Sequence, residues 1–182
     1  MKTILEKIKD SQKVLKEELG VKNVMALPRI TKIVINSGTG KAKDKKRNEL
    51  VADRLAKITG QKPAFRGAKK SIATFKLREG DVIGVMTTLH GHRMYSFLDK
   101  LINVAFPRTR DFKGFSDKGV DEMGNLSIGL KEHIIFPETA DEEIKDNFGL
   151  AITIVTTATN RKDALAFFKA IGFPFKKAPI VK

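Results

Sequence analysis

The sequence predicts an α+β fold: a single domain over residues 1–182, with a mostly antiparallel β-sheet, helices packed on one face and long basic loops. Three observations predict it. Helical and strand patterns mix without strict β-α-β alternation, and several strands are separated by loops alone. Hydrophobic residues make up 41% of the chain, enough for a packed core and too many for a disordered tail. A length of 182 residues suits one domain. Within it, 1–100 forms a strongly basic half and 178–182 a short tail.

The elements follow in order. Residues 3–19 read as an amphipathic helix: Thr3 and Glu6 make a capping-box pattern, Ile4, Ile8, Leu15 and Leu19 share a face, and Gly20 ends it. After Pro28, the β-branched run ITKIVINS reads as a strand. SGTG, Ser37 to Gly40, reads as a turn, since paired glycines supply backbone angles other residues resist. A second helix from Lys45 to Thr59 puts Leu50, Val51, Leu55 and Ile58 together before Gly60.

Two strands joined by a long basic loop come next, the first confined by Pro63 to an edge or a strand start, the second spanning Val82 to Leu89. Helical spacing returns over 93–105 with Met94, Phe97, Leu98, Leu101 and Ile102, and Pro107 forbids continuation. The glycine-rich stretch 111–125 reads as a loop. Strands near Leu126–Glu132 and Leu150–Thr157 flank an acidic segment. A last helix, about Asn160 to Ile171, packs Leu165, Phe168 and Ile171 and ends at Gly172.

Charge narrows the function. Residues 1–100 hold 23 Lys and Arg against 10 Asp and Glu, while 101–182 hold 12 against 11, so nearly all of the net +14 lies in one half. A field of that sign repels itself in a compact chain unless a polyanion screens it, and nucleic acid is the usual one. An open sheet face edged with Lys and Arg is a natural RNA platform. With no cysteine there is no disulfide framework, thiolate nucleophile or cysteine-held zinc. The N-terminus lacks the apolar stretch of a secretory signal, and no run approaches the ~20 residues that span a bilayer. A cytoplasmic protein with no membrane partner is expected.

Several stretches invite a chemical role. GTGKAKDKKR, Gly38 to Arg47, would need glycine at position 35 and Ser or Thr after Lys41 to be a phosphate loop. Those positions hold Ile35 and Ala42, so a nucleotide enzyme is disfavoured and a general anion site at a helix start remains. FRGAKKSIATFKLREG interleaves Arg66, Lys69, Lys70, Lys76 and Arg78 with two aromatics, a pattern that grips a backbone while a ring stacks on a base. Spacing puts Phe65 in the core and leaves Phe75, between Thr74 and Lys76, as the contact. His90 and His92, an H-x-H pair on alternate strand positions, with His133 at a distance, could face a metal. No carboxylate adjoins the pair and Arg93 opposes a cation, so no metal is expected.

No nucleophile elbow or flanking pair of carboxylates marks an enzyme, and no cofactor is expected. A membrane-surface role for the first helix would use Lys2, Lys9, Lys13 and Lys16, but that helix has no Trp or Phe to insert. The segment PETADEEIKDN, with Glu138, Asp141, Glu142, Glu143 and Asp146 against Lys145, suits either a solvated turn or a basic protein partner.

Several blocks together resemble a known family. LPRITKIVINSGTG, LAKITGQKPAFRGAKKSIATFKLREG, MTTLHGHRMYSFLDKLINVAFPRTRDFKG, GLKEHIIFPE and TIVTTATN leading to IGFPFKK are similar, in order, to the universal L-five family of bacterial large-subunit ribosomal proteins, over about Met1 to Lys177. The resemblance implies a non-catalytic protein that binds 5S rRNA and attaches it to the subunit in the central protuberance. It also implies contact with 23S rRNA and P-site tRNA, a neighbouring 5S-binding protein, and a bridge to a basic small-subunit head protein, number thirteen. By motif, rRNA contacts fall on Asn36 of VIN, Gln61 of TGQKP, Phe75 of ATFKLR and Thr88 of TTL, and the neighbouring Ser37 and Lys62 are expected contacts beside them. Lys41, Arg66, Lys69 and Lys70 of the basic clusters join them. The loop from about Lys70 to Val82 would face tRNA with Lys76, Leu77 and Arg78, and the bridge would use Glu138, Asp141, Glu142 and Glu143. VDEMGNLSIG and TLHGHRM depart from the family pattern, and the tail APIVK extends past its usual end.

Overall fold

A computed structural model of the chain describes residues 3–40, 45–110, 112–139 and 147–176. Lys41, Asp141, Glu142 and Glu143 lie outside the described residues. The elements are α1 (Ile4–Glu18), β1 (Ile30–Gly38), α2 (Lys45–Thr59), β2 (Ala64–Gly67), β3 (Val82–Leu89), α3 (Gly91–Lys100), β4 (Leu126–Leu130), β5 (Leu150–Thr156) and α4 (Arg161–Ala170). The strands form one sheet in the order β2-β3-β1-β5-β4, which is the α+β class expected. The chain gathers into two compact units, neither contiguous in sequence: 1–33 with 90–128 and 153–182, and 34–89 with 129–152.

In the first unit, Thr3 and Glu6 form the expected capping box on α1. Gly20 at φ +64° lets two amides return to the helix, Gly20 N–H to the Glu17 carbonyl and Val21 N–H to that of Lys16. Ile4 and Leu15 are buried, whereas Ile8 and Leu19 are half-buried. The Ile4 N–H donates to Asp99 Oδ1 at 2.8 Å, tying α1 to the end of α3. Helix α3 passes into a π-helical turn over Leu101–Ala105, which buries Leu101, Ile102 and Ala105.

The stretch read as a loop, 111–125, supplies part of the core. The Phe112 and Phe115 rings lie 5.6 and 4.7 Å from that of Phe106, which also meets Phe173 at 5.6 Å. In α4, Ala164, Phe167 and Phe168 are buried and Leu165 is only half-buried. Phe168 and Ile171 pack inward as expected, both fully buried.

In the second unit, α2 covers one side of β3. Val51, Leu55 and Ile58 of the helix and Val85 and Leu89 of the strand are nearly inaccessible, an apolar burial of about 2 kcal/mol per large side chain. Leu50 is half-buried, and Asn48 and Thr59 take inward places that the pattern assigned to no polar residue.

The expected SGTG turn is corrected: β1 runs through Gly38, and neither Gly38 nor Gly40 has positive φ. Neighbours hold this stretch extended. The Ser37 hydroxyl donates to the Gly149 carbonyl at 2.9 Å, and the Thr39 N–H to that of Ile83 at 2.8 Å.

The histidine pair is also corrected, because the strand ends at Leu89. His90 caps α3 and His92 sits in its first turn, so no common strand face carries them. His90 Nδ1 lies 3.3 Å from the Thr31 carbonyl oxygen, and His92 Nδ1 lies 3.3 Å from Ser96 Oγ. His133 is buried and stacks on Phe148 with ring centroids 4.1 Å apart. No helix among the described residues is long and apolar enough to cross a membrane.

Candidate nucleic-acid interface

The second unit presents a polar platform and a basic arm. Strand β2 pairs antiparallel with β3, setting Ala64 opposite Met86 and Arg66 opposite Gly84. Side chains alternate along a strand, so Ala64, Arg66, Met86 and Thr88 share the face away from α2. Asn36 of β1 joins them. A Cβ built on Gly84 would stand 3.8 Å from Asn36 Oδ1 and 3.2 Å from the Ser37 carbonyl oxygen. A side chain at position 84 would crowd the β1 backbone at Ser37 while meeting Asn36 only at ordinary contact, so Asn36 lies beside Gly84 on this face.

Gln61 reaches the platform from the turn after α2. Its Nε2 donates to the Thr88 carbonyl at 3.1 Å, and its own carbonyl accepts the Thr59 hydroxyl at 3.1 Å. That bond holds the side-chain amide of a half-exposed residue in place. Asn36, Gln61, Arg66 and Thr88, far apart in sequence, are brought onto one exposed or half-exposed surface. Ser37 is not part of it. It is 2% exposed and its hydroxyl donates to the Gly149 carbonyl, which holds β1 in place.

Between β2 and β3 the chain forms an arm stapled along its length. Ala68 and Asp81 pair at its base, with Ala68 N–H donating to the Asp81 carbonyl at 2.8 Å and Gly80 N–H returning to that of Ala68 at 3.0 Å. Ile72 and Leu77 exchange two amide bonds of 3.0 and 3.1 Å near the tip. The Ser71 hydroxyl accepts the Glu79 N–H at 2.9 Å, and Asp81 Oδ2 accepts that of Arg78 at 2.9 Å. Arg66, Lys69, Lys70, Lys76 and Arg78 are all exposed, as is Lys62 just before β2. Five cations against Glu79 and Asp81 give the arm its sign.

At the tip, Ala73–Phe75 form one tight turn and Lys76 closes it with φ 51°. Left-handed backbone costs a non-glycine residue about 1–2 kcal/mol, so the paired strands below must hold it. Phe75 is 66% exposed, as expected of a contact residue. Phe65, expected in the core, is 48% exposed, because β2 is an edge strand and α2 does not extend over its ring. Lys76→Gly should relieve the strain and raise amide-exchange protection at Ile72 and Leu77 about fivefold. Lys76→Val should lower it. Equal protection in both variants would mean the tip is not strained.

Of the acidic bridge residues, Glu138 is exposed on the single turn Pro137–Thr139. Thr139, next to it, is buried and donates its hydroxyl to the His133 carbonyl at 3.1 Å.

Comparison with known proteins gives this geometry its context. Residues 23–78 match the model of the family described as ribosomal protein L5, and residues 82–175 match that of the ribosomal L5P family C-terminus. The chain is similar to proteins named large ribosomal subunit protein uL5. That of Trichlorobacter lovleyi is 52% identical over 89% of this chain and 91% of its own length. That of Syntrophotalea carbinolica is 51% identical over 90% and 89%, and that of Mycoplasma mycoides subsp. mycoides SC is 49% identical over 97% and 100%.

Proposed function

The chain belongs to the ribosomal protein L5 family, and from that premise we propose that this structural, non-enzymatic constituent of the large ribosomal subunit binds 5S rRNA through the platform and arm of its second unit. The observation that carries the reading is the convergence of Asn36, Gln61, Arg66 and Thr88 on one exposed or half-exposed face beside an arm whose five cations are all exposed. Neutral groups on a rigid sheet can read base and ribose edges, while Lys and Arg supply most of the affinity through phosphates.

In this proposal Asn36, Gln61 and Thr88 position 5S rRNA, with Arg66, Lys62, Lys69 and Lys70 on its backbone and Phe75 stacked on an unpaired base. Lys76, Leu77 and Arg78 at the far end of the arm reach P-site tRNA. Contact with 23S rRNA, attachment of 5S rRNA in the central protuberance, the neighbouring 5S-binding protein and a bridge from the acidic segment to head protein thirteen complete it. The protein would act in the cytoplasm within the subunit, as one domain over 1–182. RNA recovered with the protein from cells should be dominated by 5S rRNA, and recovery of unrelated RNA in equal amount would end the proposal.

Charge and shape contributions separate under salt. Lys69→Ala with Lys70→Ala should lower the slope of log K against log salt by about 0.7–0.9 for each phosphate no longer neutralised. Asn36→Ala should cost about 1 kcal/mol with the slope unchanged, since a neutral hydrogen bond releases no counterion. Titration of 5S rRNA at several salt concentrations reads both. An unchanged slope in the lysine variant would remove those residues from the interface.

A further inference from the structure

The half of the chain that carries nearly all the net positive charge also holds a cleft rich in acceptors. It lies on the α2 side of β3, has a volume of about 400 Å³, and is lined by Lys45, Asn48, Glu49, Phe65, Leu77 and Asp81 among others. Asn48 is 7% exposed. Its Nδ2 faces the Val82 carbonyl at 3.5 Å, and since a carbonyl only accepts, the amide nitrogen must point there. Asn48 Oδ1 is then left buried with no hydrogen-bond partner, a state that native structures rarely keep without a reason. Asn48 is itself one of the residues that line the cleft, so this unpaired acceptor belongs to its wall.

The rest of the lining has the same character. Asp81 uses one carboxylate oxygen on the Arg78 N–H, and the other is left over. Glu49 is exposed on the rim. Phe65 offers a half-exposed ring and Leu77 an apolar wall. Lys45 is the single cation among the described lining residues. A complementary group must donate several N–H bonds, carry positive charge and be flat enough to lie on an aromatic face. Guanidinium meets all three conditions, and the more compact, strongly hydrated lysine ammonium meets them less well.

We propose that this cleft binds an arginine side chain presented by a partner protein. The site lies on the face of β3 opposite the RNA platform, though it shares Leu77 and Asp81 with the arm, and it goes beyond the function proposed above. A nucleobase could also stack on Phe65 and donate an exocyclic amine. Its phosphate, however, would come to rest near the Glu49 and Asp81 carboxylates, which repel it.

Isotope-labelled full-length protein titrated with N-acetyl-arginine amide tests the assignment by NMR. Saturable shifts are expected at the Asn48 side-chain amide and the Phe65 ring, with affinity about tenfold above that for the neutral isostere N-acetyl-citrulline amide. Glu49→Gln and Phe65→Leu should each weaken the arginine probe about fivefold. Asn36→Ala, on the other face, should leave it unchanged. Equal binding of citrulline would overturn the proposal, as would tighter binding of adenosine monophosphate at the same resonances or the absence of any saturable shift. Failure of 5S rRNA binding would alter none of these readouts.

Discussion

Gly124→Ala should destabilise the protein by about 3 kcal/mol, through a left-handed backbone cost of ~1–2 kcal/mol and an overpacking cost of ~1–3 kcal/mol. Gly124 has φ +80°, and a Cβ there would lie 2.7 Å from the Ala158 Cβ and 3.2 Å from the Ala164 Cβ. Neither methyl can rotate away, because each is fixed to backbone. The backbone around Gly124 is held as well. The Gly124 carbonyl accepts the Thr156 hydroxyl at 2.7 Å, and Asn125 Oδ1 accepts the Thr156 N–H at 3.3 Å. Asp121 accepts the Asn125 N–H at 2.6 Å and its side-chain amide at 2.9 Å.

A domain of this size has only about 5–15 kcal/mol in total, so the loss should be plain as a lower urea midpoint at unchanged slope. Gly20→Ala is the control. Its φ of +64° carries the backbone cost, but a Cβ there meets nothing within 4 Å. Similar midpoints for the two variants would show that the contact with Ala158 is not what constrains position 124.

Phe75→Ala should weaken 5S rRNA binding by about 2 kcal/mol, roughly thirtyfold, within the ~1–3 kcal/mol of one base–aromatic stack. Since Phe75 is 66% exposed, its removal opens no cavity, and the urea midpoint should hold. The salt slope should also hold, because the ring neutralises no phosphate. That combination sets it apart from the Lys69 and Lys70 variants, and Phe75→Trp should keep most of the affinity. Wild-type affinity in Phe75→Ala would move the stacking role elsewhere.

Local rules were legible where one neighbour decides the outcome. The Thr3–Glu6 capping box, the glycine ends of α1 and α2, and the start and end of α2 all depend on residues within a turn of one another. Reading failed where distant partners decide. The glycines of SGTG suggest a bend, yet Gly149 and Ile83 hold Ser37 to Thr39 straight, and the turn comes only at Gly40. Phe65 matches a core pattern, but the sheet order leaves it at an edge. Phe112 and Phe115 sit among glycines and polar residues, and only the arrival of Phe106 and Phe173 gives them a core to join.

The interface divides along the same line. The exposed cations of the arm could be read from composition alone. The placing of Gln61 against Thr88, 27 residues away, depends on where β3 lies relative to the turn after α2, which no local pattern encodes. Ser37 shows the converse, since an expected contact residue is 2% exposed and its hydroxyl is taken by a carbonyl 112 residues away. The unsatisfied amide of Asn48 has no sequence signal at all, because an asparagine on a helix reads as polar surface.

The discontinuity of the second unit bears on how it comes into being during synthesis. Its arm and platform strands are made early, within residues 34–89, yet the unit is completed only by 129–152, and the Ser37 latch has no acceptor until Gly149 exists. At roughly 5–20 residues per second of elongation, the growing polypeptide carries unlatched basic strands for several seconds. The surface proposed to bind RNA is therefore completed only after residue 149 has been made, a delay written into the order of the chain.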